Sequence, residues 1–110
     1  MASHYSRGAA FERRVRDLLE SIGYLTIRSA GSKGVADLVA LSSGSTLLVQ
    51  CKRSGLISTA EWNTLFSESQ RIGARAVLAK MRGKRGTALY HIDGLRVVRG
   101  AYPMTLWTIS

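Results

Sequence analysis

Residues 32–52 constrain this chain more than any other stretch. Residues 35–41 form an apolar run with one carboxylate, Asp37, set into it. A Ser/Gly turn at residues 42–45 follows, and a second apolar run, residues 46–51, leads into Gln50-Cys51-Lys52. Two strand-length apolar runs around a tight turn predict an antiparallel hairpin. Side chains alternate along a strand, so Leu48, Gln50 and Lys52 share one face and Leu47, Val49 and Cys51 the other. A charge inside such a run is rarely buried unless paired or metal-bound, so Asp37 calls for a reason. The hairpin brings it near Gln50 and Lys52. A carboxylate and an amide oxygen are hard donors suited to Mg²⁺. A lysine beside them can orient or deprotonate a water, or stabilise developing negative charge.

A chain of 110 residues has the size of one domain, and we read residues 1–110 as such. Its core is modest, so a dimer that buries further apolar surface is an open expectation. Sixteen Lys and Arg against seven Asp and Glu give a net charge of +9, which favours a polyanionic partner, nucleic acid first. The bland alternative is a basic surface without a partner. Cys51 is the only cysteine, which rules out an internal disulfide and a cysteine-based zinc site. His4 and His91 do not make a metal-ligand spacing. No apolar run approaches the ~20 residues of a membrane span, and the N-terminus lacks a signal-peptide core. The expectation is a soluble cytoplasmic protein without a membrane role.

In chain order, residues 1–6 read as a loose arm with Ser6 capping a helix over residues 8–22. Phe11, Val15, Leu18, Leu19 and Ile22 form its apolar stripe, and Gly23 stops it. On periodicity alone Glu12 is an exposed glutamate paired with Arg16 one turn on. Residues 24–28 read as a strand. The loop at residues 29–34 can contact phosphate or be an ordinary turn, and it lacks the spacing of a Walker A loop. After the hairpin, Ser58 and Glu61 form a capping box that starts a helix over residues 59–72, with Gly73 ending it. Trp62 and Phe66 on that helix read as core or dimer interface rather than base-stacking groups. Residues 75–81 are nearly all apolar, as in a strand covered on both faces. Residues 82–86 are a basic hairpin loop, either a DNA-backbone contact or a solvated turn. Residues 87–92 form a further strand, Asp93-Gly94 a structural turn, and residues 95–98 a candidate sixth strand. Residues 99–110 stay unassigned. Helix, three strands, helix, then two or three strands gives the α/β class, a mixed central sheet flanked by helices.

Three segments together resemble a known family. They are Phe11-Glu12-Arg13-Arg14, then Arg28-Ser29-Ala30-Gly31-Ser32-Lys33-Gly34-Val35-Ala36-Asp37, then Leu48-Val49-Gln50-Cys51-Lys52. They look like the archaeal-type Holliday junction resolvases of the PD-(D/E)xK nuclease superfamily. The resemblance runs from about residue 6 to 81, and the Arg-Ser-Ala-Gly-Ser-Lys stretch is its most specific part. It implies a restriction-endonuclease-like nuclease fold and a homodimeric endonuclease that cuts four-way or branched DNA with Mg²⁺, Mn²⁺ substituting. It further implies metal ligation by Asp37, Glu12, residue 50 and the Cys51 carbonyl, with Lys52 and Ser32 acting in catalysis. Arg13 and Arg28 match residues that contact DNA or support the site. Arg14, Lys33, Arg53, Arg82, Lys84 and Arg85 are added as candidate phosphate contacts from the charge pattern, and the second helix as the candidate dimer contact.

Gln50 departs from the family's usual Glu-x-Lys. Gln-x-Lys occurs in related nucleases such as the Mrr-like restriction enzymes, and it removes one negative charge, so weaker metal binding is expected. Two alternatives to a junction resolvase therefore stand. One is an Mrr-like or repair nuclease acting on duplex or branched DNA, and the other a non-catalytic junction-binding protein. The small size also suits a phage gene, and a nucleoid-associated setting either way.

Overall fold

Phe11, Val15 and Leu19 recur at helical spacing, and the helix they define, α1 (His4–Ser21), buries all three. The helix begins upstream of the expected start. Ser6 lies inside it rather than capping it, because no proline interrupts residues 4–10 and Ala9-Ala10 favour propagation of the helix. Gly23, at a φ of 103°, ends the turn after α1, and Tyr24 N–H returns to the Leu19 carbonyl at 3.1 Å. The computed structural model describes residues 4–29, 34–84 and 86–108.

Strand β1 (Leu25–Arg28) follows, then β2 (Leu38–Ser42) and β3 (Ser45–Lys52), which form the expected hairpin with Ser42 opposite Ser45. The left-handed φ of 85° at Gly44 closes the two-residue loop. Helix α2 (Thr59–Ile72) begins and ends where local signals place it. Ser58 and Glu61 exchange both capping-box hydrogen bonds, and Gly73 is left-handed. Strands β4 (Arg75–Arg82), β5 (Gly86–Ile92) and β6 (Met104–Leu106) complete one six-stranded sheet in sequential order. Among the described residues only the β3–β4 pair is parallel, since α2 carries the chain back between them.

One helix covers each face. On the α1 side, Phe11, Val15 and Leu19 pack on Leu38, Leu47, Val49, Val77 and Leu89. On the α2 side, Trp62 and Leu65 pack on Leu48, Ala76, Leu78 and Ile92. Ala76 to Ala79 alternate between the two cores, which explains an apolar run with no polar face. Trp62 is fully buried, a core residue as the spacing allowed.

Residues 95–98 are not a strand. Asn63 binds the Arg96 backbone at both ends, accepting from its N–H at 2.8 Å and donating to its carbonyl at 3.2 Å. Trp62 Nε1 donates to the Gly94 carbonyl, and the Arg96 guanidinium lies over the Trp62 and Tyr102 rings. The side chains of α2 thus satisfy backbone groups that a sheet would otherwise take. The sixth strand forms further on, where Met104 pairs with Ile92 and Leu106 with Tyr90. Asp93 is structural, as expected: its N–H meets the Pro103 carbonyl and its carboxylate accepts from Thr105.

Candidate active site at one end of the sheet

Strand directions gather the candidate residues at one end. β1 finishes there at Arg28, β2 starts there after Asp37, and β3 finishes there at Lys52. β4 runs parallel to β3, so Arg82, Gly83 and Lys84 reach the same end. Glu12, in the N-terminal half of α1, meets Arg28, with Oε1 3.4 Å from Nε. α2 starts from this end as well, because β3 feeds it through residues 53–58.

Asp37 sits just outside β2, which begins at Leu38 and not at residue 35 as the apolar run suggested. Its backbone still continues the ladder. Asp37 N–H donates to the Val49 carbonyl, and the Ser29 N–H donates to the Asp37 carbonyl, both at 2.9 Å. With its backbone held on both sides, its side chain turns to β3, where Oδ2 accepts from the Cys51 N–H at 2.8 Å. Burial raises the Asp37 pKa above the ordinary Asp value. The Cys51 N–H opposes that rise, Glu61 adds to it and Arg28 opposes it.

Glu12 is also pushed up, first by burial and then by the Asp37 charge, against the pull of Arg28. Periodicity paired it with Arg16, but Arg16 binds Asp17 at 3.1 Å and Arg28 takes the Glu12 contact. Asp37 and Arg28 thus both act on Glu12, the first opposing and the second favouring its ionised form.

Gln50 donates from Nε2 to the Val35 carbonyl at 3.1 Å. The amide oxygen is thereby directed elsewhere and left as an acceptor. The Cys51 thiol belongs to the α1-side core, and burial with the Asp37 and Glu12 charges raises its pKa far above the thiol range, so it stays a protonated packing group. Its N–H faces Asp37, and in an extended strand the carbonyl of the same residue points to the same side. Among the described residues no three His, Cys, Asp or Glu side chains converge as a metal site. The oxygens available at this end of the sheet are two carboxylates, the Gln50 amide oxygen and the Cys51 carbonyl. Such an all-oxygen set fits a hard divalent cation.

Lys52 is exposed on the same strand face as Gln50. Arg13 joins Glu12, Arg28, Ala9, Arg16 and Leu38 around a pocket of about 100 Å³. Arg14 lies on another flank of the helix, over the Phe11 ring at 5.9 Å. Arg53 is half-buried just past Lys52, while Arg82 and Lys84 are exposed on the hairpin. Ser32, Lys33 and Arg85 lie outside the described residues.

Two neighbours escaped the sequence reading. Glu61 acts on Asp37. Lys80 stands in register with Lys52 across the parallel pair and donates to the Gly55 carbonyl. Helical spacing did place Arg16 beside Glu12, and both line the same pocket although Arg16 pairs with Asp17. The register that brings Lys80 to Lys52 has no local signal.

Known proteins resemble this chain in sequence and fold. The family model described as archaeal Holliday junction resolvase (Hjc) matches residues 3–105. A crossover junction endodeoxyribonuclease Hjc of Methanocaldococcus jannaschii is 41% identical over 83 residues, which covers 72% of this chain. The match spans 62% of that relative, less than two thirds of its length. The structure of Archaeoglobus fulgidus Hjc, a Holliday junction resolvase from an archaeal hyperthermophile, matches with a TM-score of 0.66 at 26% identity. That match covers 76% of this chain and 71% of the other, and it makes the mixed sheet a restriction-endonuclease-like fold. With the family model spanning nearly all of its length and two carboxylates, Gln50 and Lys52 gathered at one end of such a sheet, the chain belongs to the archaeal Holliday junction resolvase family.

Proposed function

We propose that this chain is a structure-selective, metal-dependent endonuclease that resolves four-way DNA junctions by paired symmetric nicks. The observation that carries the reading is the convergence of Glu12, Asp37, Gln50 and Lys52 at one sheet end, in a chain of net charge +9. Asp37, Glu12, Gln50 Oε1 and the Cys51 carbonyl would hold Mg²⁺ or Mn²⁺, whose charge would acidify a water and offset that of the scissile phosphate. The protein's own groups do the rest. Lys52, exposed beside Gln50, orients the attacking water and stabilises negative charge on the phosphoryl oxygens. Arg28 holds the Glu12 carboxylate in place.

Arg13, Arg14, Arg28 and Arg53, with Arg82 and Lys84 on the hairpin, bind phosphates and read shape rather than sequence. Ser32, Lys33 and Arg85 keep the roles that the family resemblance and the charge pattern give them. We read residues 1–110 as one nuclease domain acting as a homodimer, because two symmetric nicks in a two-fold junction require two centres. Ile72, half exposed at the end of α2, supports placing the dimer contact on that helix.

Cleavage of a labelled four-way junction beside a linear duplex of the same sequence tests the reading, with Mg²⁺ and with EDTA. Paired nicks in the junction alone, lost with EDTA and in Asp37→Ala, are expected. Equal cutting of both substrates would replace the junction reading with a broader nuclease. An Asp37→Ala variant that cuts as fast as wild type would refute the site.

A further inference from the structure

The contact that stands out in this site is the one Gln50 makes away from any metal. Its amide N–H meets the Val35 carbonyl at 3.1 Å. A carbonyl oxygen only accepts, so the group facing it has to be the nitrogen. Val35 lies two residues ahead of Asp37 and packs against the α2-side core. The start of β2 is therefore held at three successive points. Ser29 N–H reaches the Asp37 carbonyl, Asp37 N–H reaches Val49, and Gln50 reaches Val35. The first two hold Asp37 itself, and only the Gln50 bond reaches upstream of it, where the chain turns into the strand. The Asp37 carboxylate then meets the Cys51 N–H one residue past Gln50.

A glutamate at position 50 has the same shape but no donor. One of its oxygens would face the Val35 carbonyl at a separation where two acceptors repel. It would also add a carboxylate next to Asp37, whose ionised form burial already disfavours.

We propose that Gln50 is a positioning residue: its amide holds Val35, and with it the turn that carries Asp37, in shape without metal, and a glutamate at this position makes that shape depend on a divalent cation. The inference deepens the nuclease reading and rests on it for the metal, but its metal-free part stands whether or not the protein cuts DNA.

The test compares wild type, Gln50→Glu and Gln50→Met by thermal unfolding and amide hydrogen exchange, first in EDTA and then with increasing Mg²⁺. In EDTA both variants melt below wild type, and the Asp37 and Cys51 amides exchange about tenfold faster, as loss of one part-buried hydrogen bond implies. Mg²⁺ then closes the gap for Gln50→Glu, which has oxygens for the cation, and not for Gln50→Met, which has none. Wild-type protection of Gln50→Glu in EDTA overturns the proposal. A deficit in Gln50→Glu that Mg²⁺ does not narrow overturns its metal half. If neither variant folds, the wild-type side-chain amide of Gln50 decides: it should exchange more slowly than that of exposed Gln70, and equal rates overturn the idea. Absence of junction cleavage by wild type would count against the nuclease reading alone.

Discussion

Asp37→Asn should separate stability from function. Two effects compete at this side chain. The Cys51 N–H to carboxylate hydrogen bond at 2.8 Å favours the ionised form, and a bond to a charged group is worth about 1.5–3 kcal/mol. Against it stand burial and the charge of Glu61, and the net effect raises the Asp37 pKa. A carboxylate with a raised folded-state pKa destabilises the fold once ionised, so stability is highest below the ordinary Asp value and falls as pH rises through the folded pKa. Asparagine removes the charge and keeps an oxygen for the Cys51 N–H. Without metal at pH 7.5 the variant should be the more stable protein. The gain is on the order of 1 kcal/mol, because the partly exposed carboxylate is screened by solvent. For a chain of this size that is roughly a 3–6 °C rise in Tm. The advantage should shrink as pH falls through the folded Asp37 pKa toward the ordinary Asp range. Saturating Mg²⁺ should raise the wild-type Tm and leave the variant's nearly unchanged, and junction cleavage should be lost in the variant. Differential scanning calorimetry in EDTA at pH 7.5 and at pH 5, repeated with Mg²⁺, measures the stability changes, and the junction cleavage assay the loss of activity. A variant less stable than wild type in EDTA at pH 7.5 would refute the reasoning, since it would mean that the Cys51 hydrogen bond outweighs burial.

Other outcomes follow from the same geometry. Lys52→Met should reduce cleavage at least about a hundredfold while junction binding stays within a few-fold, measured by single-turnover kinetics beside a gel shift. Arg82→Gln with Lys84→Gln should weaken junction binding and lower the slope of log K against log salt by about 2 if both contact phosphate. Trp62→Ala should cost about 3–5 kcal/mol in urea unfolding, because the ring is fully buried in the α2-side core and its Nε1 holds Gly94. The Cys51 thiol should react with a disulfide reagent only as the protein unfolds, because burial and two neighbouring carboxylates keep it protonated.

What could be read from the residues alone was whatever neighbours along the chain decide. The bounds of α2 follow from a capping box and a glycine that act within a single turn. The β2–β3 hairpin follows from alternation and a two-residue Ser-Gly loop, and it brings Asp37 to Gln50 and Cys51 without help from the rest of the fold. The burial of Ala76 to Ala79 follows from an apolar run with no polar face.

The rest was decided by packing between distant segments. Glu12 pairs with Arg28 rather than with its helical neighbour Arg16, because α1 crosses the end of β1 and places that guanidinium in reach. Lys80 joins Lys52 only through the register of a parallel pair, which α2 rather than any short-range signal determines. Residues 95–98 have the apolar content of a strand, yet Asn63 and Trp62 take their backbone groups first and the sheet accepts residues 104–106 instead. Sequence patterning thus determined which residue types stand at each strand end. The tertiary structure decided which of them meet, because a buried hydrogen-bonding or charged group is satisfied by whatever partner the packed chain presents and not by its nearest neighbour in sequence.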